Sequence, residues 1–119
     1  MELTPIFKLL SDETRLRVIL LLSKEELCVC EICGVLDESQ PKISKVLSKL
    51  RDLDLVSDKR IEKFVFYKVK DTNGLLNNTL MYILENLDSY PILVSDQQRL
   101  AHKTEYLNRC SLDLLEEIS

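Results

Sequence analysis

A chain of 119 residues with 45% hydrophobic content has room for one modest core, which excludes a second independently folded domain. With only two Gly, three Pro and 30% charge, the composition favours a mainly helical globular fold over a disordered or extracellular one. No apolar run approaches the roughly 18 residues that span a membrane. Met1-Glu2-Leu3-Thr4-Pro5 also lacks the basic-then-apolar pattern of a secretory signal, so a cytoplasmic protein without a membrane partner is expected.

The net charge of −4 argues at first against nucleic acid. Its distribution argues the other way, because residues 40–70 hold nine Lys or Arg against four Asp or Glu, a local +5 that leaves −9 for the rest. A basic segment on an acidic body is the electrostatic footprint of a small DNA-binding module.

Thr4-Pro5 reads as an N-cap followed by a proline at the first helical position, with Ile6, Phe7, Leu9 and Leu10 as the apolar stripe of a short first helix. Ser11 restarts the chain, and Leu16 with Val18 to Leu22 makes a second helix hydrophobic enough to be buried centrally. Cys30 to Leu36 is a short third helix, and Asp37-Glu38-Ser39 is a turn. Ser39 then caps a fourth helix whose buried face is Ile43, Val46, Leu47, Leu50 and Leu53. Two short helices joined by a three-residue turn form a helix-turn-helix, over about residues 30–53.

From about 55 to 70 the period changes towards two, and Leu55 to Lys59 and Phe64 to Val69 read as strands joined near Arg60 to Lys63 in a hairpin, or wing. From about 72 to 119 a C-terminal helical region follows. Leu76, Leu80, Ile83, Leu84 and Leu87 form an apolar seam there that a small domain would use for dimerisation. Tyr90-Pro91 breaks this helix, and the Ser-x-x-Gln pattern at Ser95 to Gln98 predicts a last helix from about Asp96 through Cys110. The fold class expected is mainly α: a single winged helix-turn-helix domain over 1–119, with a two-stranded β wing, dimerised through terminal helices.

On a helical wheel at about 100° per residue, Pro41, Ser44, Lys45, Ser48 and Asp52 lie opposite the apolar face of the fourth helix, with Lys42 and Lys49 at its flanks. Small hydroxyls permit close approach to base edges, Gln pairs with adenine, and Lys meets guanine or phosphate. Base contacts concentrate in the N-terminal half of a reading helix, which selects Gln40, Lys42, Ser44 and Lys45; Lys49 and the wing residues Lys59, Arg60 and Lys63 suit phosphate. An ordinary solvated helix face is the competing reading of the same pattern, and the basic wing that follows weighs against it.

Cys28, Cys30 and Cys33 form C-x-C-x-x-C. Cys30 and Cys33 share a helix face, but in a regular helix Cys28 would point about 160° away from Cys30 around the axis. The three sulfurs can therefore converge only where the backbone near Cys28 to Cys30 is not helical, so that binding an ion would distort the helix supporting the reading helix. Three thiolates without a nearby histidine select soft species. A pyramidal arsenite or antimonite centre fits better than zinc, which would need Cys110 or a water as fourth ligand. A helix N-terminus stabilises thiolate, while Glu25, Glu26 and Glu31 oppose this. Cys30 and Cys33 also make a C-x-x-C pair, which leaves a redox sensor open.

The segments Phe7-Lys8-Leu9-Leu10-Ser11-Asp12-Glu13-Thr14-Arg15-Leu16, Glu26-Leu27-Cys28-Val29-Cys30-Glu31-Ile32-Cys33 and Ser39-Gln40-Pro41-Lys42-Ile43-Ser44-Lys45 closely resemble the ArsR/SmtB winged-helix repressors, nearest the arsenical-resistance group. The resemblance covers roughly residues 3–70. It implies a homodimer that binds double-stranded operator DNA, needs no cofactor, and is released when As(III) or Sb(III) binds Cys28, Cys30 and Cys33. The operator would be an imperfect inverted repeat, read by two helices about 34 Å apart. Val46 stands where relatives often have a histidine, and Asp54 and Glu62 where glycines are usual, so a wider or less ordered wing turn is expected. Beyond residue 71 the resemblance is only in being helical. His102 with Glu105 is the sole trace of the zinc ligands some relatives carry there, and Cys110 is unassigned.

An enzyme using a cysteine nucleophile would need a base beside it, and the one histidine lies far along the chain. A winged-helix module that binds protein instead of DNA is the other alternative, because a pI of 5.0 is low for a repressor.

Overall fold

The computed structural model describes residues 3–71 and 73–106. Helices α1 (Leu3–Leu10), α2 (Glu13–Lys24), α3 (Val29–Leu36), α4 (Gln40–Asp52), α5 (Gly74–Glu85) and α6 (Pro91–Leu100) surround a small sheet of β1 (Leu27–Cys28), β2 (Val56–Ile61) and β3 (Phe64–Val69). The second helix is central as expected: Val18, Ile19, Leu20, Leu21 and Leu22 are all buried, and α2 packs against α1, α3, α4, α5, α6 and β3. Asp12 rather than Ser11 caps it, its carboxylate accepting from the Arg15 amide at 3.0 Å. Thr4 and Pro5 both lie inside the first turn of α1, not ahead of it.

The turn between α3 and α4 is tight because Asp37 takes a left-handed conformation, φ 55°, which Asp tolerates better than most residues. Ser39 then caps α4 as its sequence predicts, accepting from the Lys42 amide, and Pro41 sits in the first turn, where its missing N–H costs no helical bond. Ile43, Val46, Leu47 and Leu50 are buried and Leu53 half-buried, so the apolar face read from spacing is the one that packs.

The sheet holds a strand that the sequence reading lacked. Its order is β1-β3-β2, all antiparallel, with Leu27 opposite Tyr67 and Cys28 opposite Phe66. A two-residue strand has no detectable period, so only its pairing with the wing reveals it. The wing turn also departs from expectation. Ile61 pairs with Phe64, leaving a two-residue loop, and Glu62 supplies its left-handed residue at φ 57°. Six paired rungs between β2 and β3 hold the turn tight despite the lack of glycine.

Two C-terminal expectations are corrected. The helix expected from about Asp96 starts instead at Pro91, because proline at the first position opens a helix and Leu93, Asp96 and Leu100 then fall on one buried face; Ser95 is mid-helix and caps nothing. The seam on α5 faces inward: Leu76 and Leu80 are buried, and Ile83, Leu84 and Leu87 pack against the core. A domain this small needs those leucines for its own interior. The exposed apolar residues of α5 are Leu75, Met81 and Tyr82, and α1 exposes Leu3 and Phe7. The expected continuation is interrupted, since α6 ends at Leu100, 101–102 form a turn and 103–106 are helical again, while 107–110 lie outside the described residues. Among the described residues, no helix is long and apolar enough to cross a membrane.

Candidate functional site

The polar face of α4 is open to solvent. Gln40, Lys42, Ser44, Lys45 and Lys49 are all exposed on α4, whose opposite face is locked into the core by Ile43, Val46, Leu47 and Leu50. Val46, at the position that resembles a relative's histidine, is 92% buried, so it reaches no partner. Lys42 Nζ lies 3.4 Å from Glu38, an exposed pair one turn back that holds the side chain loosely.

The wing cations are less free than their sequence suggests. Lys59 Nζ is 3.8 Å from Glu26, Arg60 Nε donates to the Glu62 carbonyl at 3.3 Å, and Lys63 lies 5.4 Å from the centre of the Phe64 ring. Each contact is exposed and weak enough to be exchanged for a phosphate. Glu26 in particular ties the wing to the segment just ahead of the thiols.

Cys28 is already outside the helix. Its backbone is extended, φ −91° and ψ 168°, it forms the last residue of β1, and α3 begins at Val29. The non-helical backbone that convergence of the three sulfurs requires at Cys28 is thus present, because the chain reaches α3 from a strand. Glu31, which the sequence marks only as an unfavourable charge, has a structural role here: its buried carboxylate accepts from the Cys28 amide at 3.2 Å and closes the helix start. The S-x-x-E form of such a cap is hidden when cysteine holds the first position.

The three sulfurs do not form a ready site. Cys28 and Cys30 are buried and Cys33 is half-buried, with Cys28 and Cys33 as free thiols. Among the described residues, no group of three His, Cys, Asp or Glu side chains is arranged to hold an ion. Burial pushes the thiols of Cys28 and Cys33 up to about 11, with the charge of Glu31 adding to the first and that of Glu38 to the second. The helix N-terminus thus fails to favour thiolate, because desolvation outweighs it.

Helix α3 is also gripped from the C-terminal side. Arg17 on α2 makes a two-point contact with Asp96 on α6, 2.9 Å and 2.8 Å, and reaches the Leu36 carbonyl at 3.3 Å. Arg99 donates to the Gly34 carbonyl at 2.6 Å and lies over the Tyr106 ring, which sits directly against Gly34. Any side chain at Gly34 would collide with that ring. His102 and Glu105 are an exposed pair at 3.7 Å, and no further ligand joins them among the described residues.

Residues 12–58 match the family described as bacterial regulatory protein, arsR family. The chain is 52% identical over 65 residues to the arsenical resistance operon repressor of Escherichia coli strain K12, covering 54% of this chain and 56% of that one. It is 36% identical over 96 residues to an arsenical resistance operon repressor of Staphylococcus xylosus, covering 81% of this chain and 85% of that protein. The transcriptional regulator HlyU of Vibrio vulnificus superposes with a TM-score of 0.62 at 29% identity, covering 70% of this chain and 83% of that structure. The match to the Escherichia coli protein spans little more than half of that relative's length. The winged helix-turn-helix arrangement, the family match over its two helices and the extended similarity to the Staphylococcus protein agree, and the chain belongs to the arsR family of bacterial regulatory proteins, which are transcriptional regulators and not enzymes.

Proposed function

We propose that this protein is a metalloid-responsive transcriptional repressor that binds operator DNA as a homodimer and lets go when As(III) or Sb(III) binds Cys28, Cys30 and Cys33. The observation that carries the reading is one of placement: the thiol segment forms β1 and the first turn of α3, so it is joined to the wing on one side and to α4 on the other. Gln40, Lys42, Ser44 and Lys45 read bases, while Lys49, Lys59, Arg60 and Lys63 meet phosphates. The names of the Escherichia coli and Staphylococcus xylosus relatives support an arsenical effector. The exposed Leu3 and Phe7 on α1 and Leu75, Met81 and Tyr82 on α5 support a second copy as partner.

Since the sulfurs are not preassembled, binding costs a rearrangement of the β1–α3 junction, and that cost is the coupling. The effector must favour the DNA-free form by the free energy with which DNA disfavours the effector. The C-x-x-C spacing of Cys30 and Cys33 supports, as a second reading, a regulator of the same fold that responds to thiol oxidation.

A gel-shift on DNA upstream of the gene, under reducing conditions with and without arsenite, tests this. Cys28→Ser, Cys30→Ser and Cys33→Ser should each bind DNA and each resist arsenite. Release retained in all three would refute the thiol mechanism, and release by oxidant but not by arsenite would favour the second reading.

A further inference from the structure

A groove of about 610 Å³ runs along the flank of α4 against the first turn of α2. It is lined by Arg15, Lys42, Lys45 and Lys49, with Asp12 and Asp52 as its two carboxylates, and its charge is therefore positive. The geometry points to this groove as a seat for the DNA backbone, with Arg15, on the first turn of α2, as a phosphate-binding residue; this rests on the DNA-binding reading above.

The argument begins with widths. The major groove of B-DNA is about 12 Å wide and a helix with its side chains is about 10–12 Å across, so a helix seated there has backbone phosphates against both flanks. On one flank of α4 lies the wing. The other flank is this groove, whose floor is α4 and whose far wall is α2.

Its charges are arranged to receive an anion. Asp12 is occupied as the cap of α2, accepting from the Arg15 amide, and Lys42 is shared with Glu38. Arg15, Lys45 and Lys49 have no carboxylate within ion-pair distance among the described residues, in a chain that carries more acids than bases. Arg15 is half-buried, so part of its side-chain freedom is already lost, and its planar fork suits two phosphate oxygens. Thr14 on the α2 side and Ser48 on the α4 side add hydroxyl donors to the lining.

A phosphate seat contributes affinity without sequence information, and this is what the experiment reads. Binding of the full-length reduced protein to an upstream duplex and to an unrelated duplex of equal length is measured at several salt concentrations, for the unmodified chain, Arg15→Gln and Arg15→Lys. Arg15→Gln should weaken binding to both duplexes by the same factor and lower the slope of log affinity against log salt by about one. Arg15→Lys should restore most of the slope, which a purely structural role would not. Arg15→Met, which keeps the aliphatic stem, should lower the slope equally and serves if Arg15→Gln does not fold. An unchanged slope in Arg15→Gln, or a loss confined to the upstream duplex, would overturn the seat while leaving the DNA-binding reading in place. Failure of the unmodified chain to bind either duplex would overturn both.

Discussion

Cys28 and Lys59 lie on one rung of the sheet, joined through Phe66: Cys28 pairs with Phe66 across β1 and β3, and Phe66 pairs with Lys59 across β3 and β2. A sulfur drawn towards Cys30 and Cys33 therefore pulls on the strand that carries the wing, in addition to the start of α3. Coupling through α3 into α4 was the route legible in the sequence; the sheet adds a second one. Phe66→Ala should leave arsenite binding to the DNA-free protein within about threefold while shrinking the ratio of DNA affinities without and with arsenite, which typically lies between 5- and 150-fold for allosteric pairs. Equal ratios in Phe66→Ala and the unmodified protein would leave α3 and α4 as the whole route.

The buried thiols give effectors of different charge different pH profiles. Cys28 and Cys33, held up to about 11 by desolvation, are neutral near pH 7. Arsenite arrives as As(OH)3, and each As–O bond exchanged for an As–S bond releases a water that takes the thiol proton, so no net proton is set free. A divalent cadmium ion must expel one proton for each thiol it binds, and its apparent affinity rises about tenfold per pH unit for each. From about pH 6 to about pH 8, arsenite affinity should be nearly level and cadmium affinity steep. Sulfur-to-metal absorbance titrations on the reduced protein check this, and a level cadmium profile beside an arsenite affinity that falls as pH rises would show that these thiols are already ionised. The same shifts bear on stability with a definite sign. The folded chain keeps its thiols protonated while the unfolded chain loses those protons from about pH 9, so stability is full below that value and falls as pH rises towards about 11.

What the sequence made legible follows from periodicity and chemistry along the chain. The 3.6-residue pattern of Ile43 to Leu50 and the alternation of Phe64 to Val69 located α4 and the wing, and the C-x-C-x-x-C spacing located the thiols. It also tied convergence of the three sulfurs to a non-helical backbone at Cys28, and the backbone there is extended. What was illegible depends on contacts between distant segments. The strand at Leu27–Cys28 exists only because β3 lies beside it, the inward turn of the α5 seam depends on α2, and the protonated state of the thiols depends on burial. The Ser95 pattern misled because a local cap signal was outweighed by Pro91 and by three residues with buried partners.

The Arg17–Asp96 pair joins α2 to α6 with both side chains nearly closed to solvent, 12% and 4% exposed. The hydrogen bonding with Asp96 pushes the Arg17 guanidinium further up, and an arginine without that partner still stays charged at neutral pH. Asp96→Ala leaves that charge buried beside the Leu36 carbonyl alone and should cost about 3–5 kcal/mol, a large share of a small domain's stability. Combining it with Arg17→Met should recover much of the loss, because an apolar pair removes the stranded charge. Urea unfolding of the two single variants and the double variant gives the coupling energy, and additive losses would mean that the pair does not hold α6 to α2.

Glu62 gives the most direct test of wing chemistry, because strain and charge meet in one side chain at the tip. A left-handed conformation costs a non-glycine residue about 1–2 kcal/mol, offset in Glu62→Gly by the greater freedom of glycine in the unfolded chain. The net gain should be about 0.5–1 kcal/mol in urea unfolding. Glu62→Gly also removes a carboxylate from between Arg60 and Lys63, both exposed and both aimed by this reading at phosphate, so DNA affinity at low salt should rise as well. Glu62→Ala separates the two effects: it removes the charge and keeps the left-handed strain. If the wing tip approaches DNA, Glu62→Ala should match Glu62→Gly in affinity and fall behind it in stability. Unchanged affinity in both variants, measured at low salt where one charge counts most, would place the tip away from the backbone.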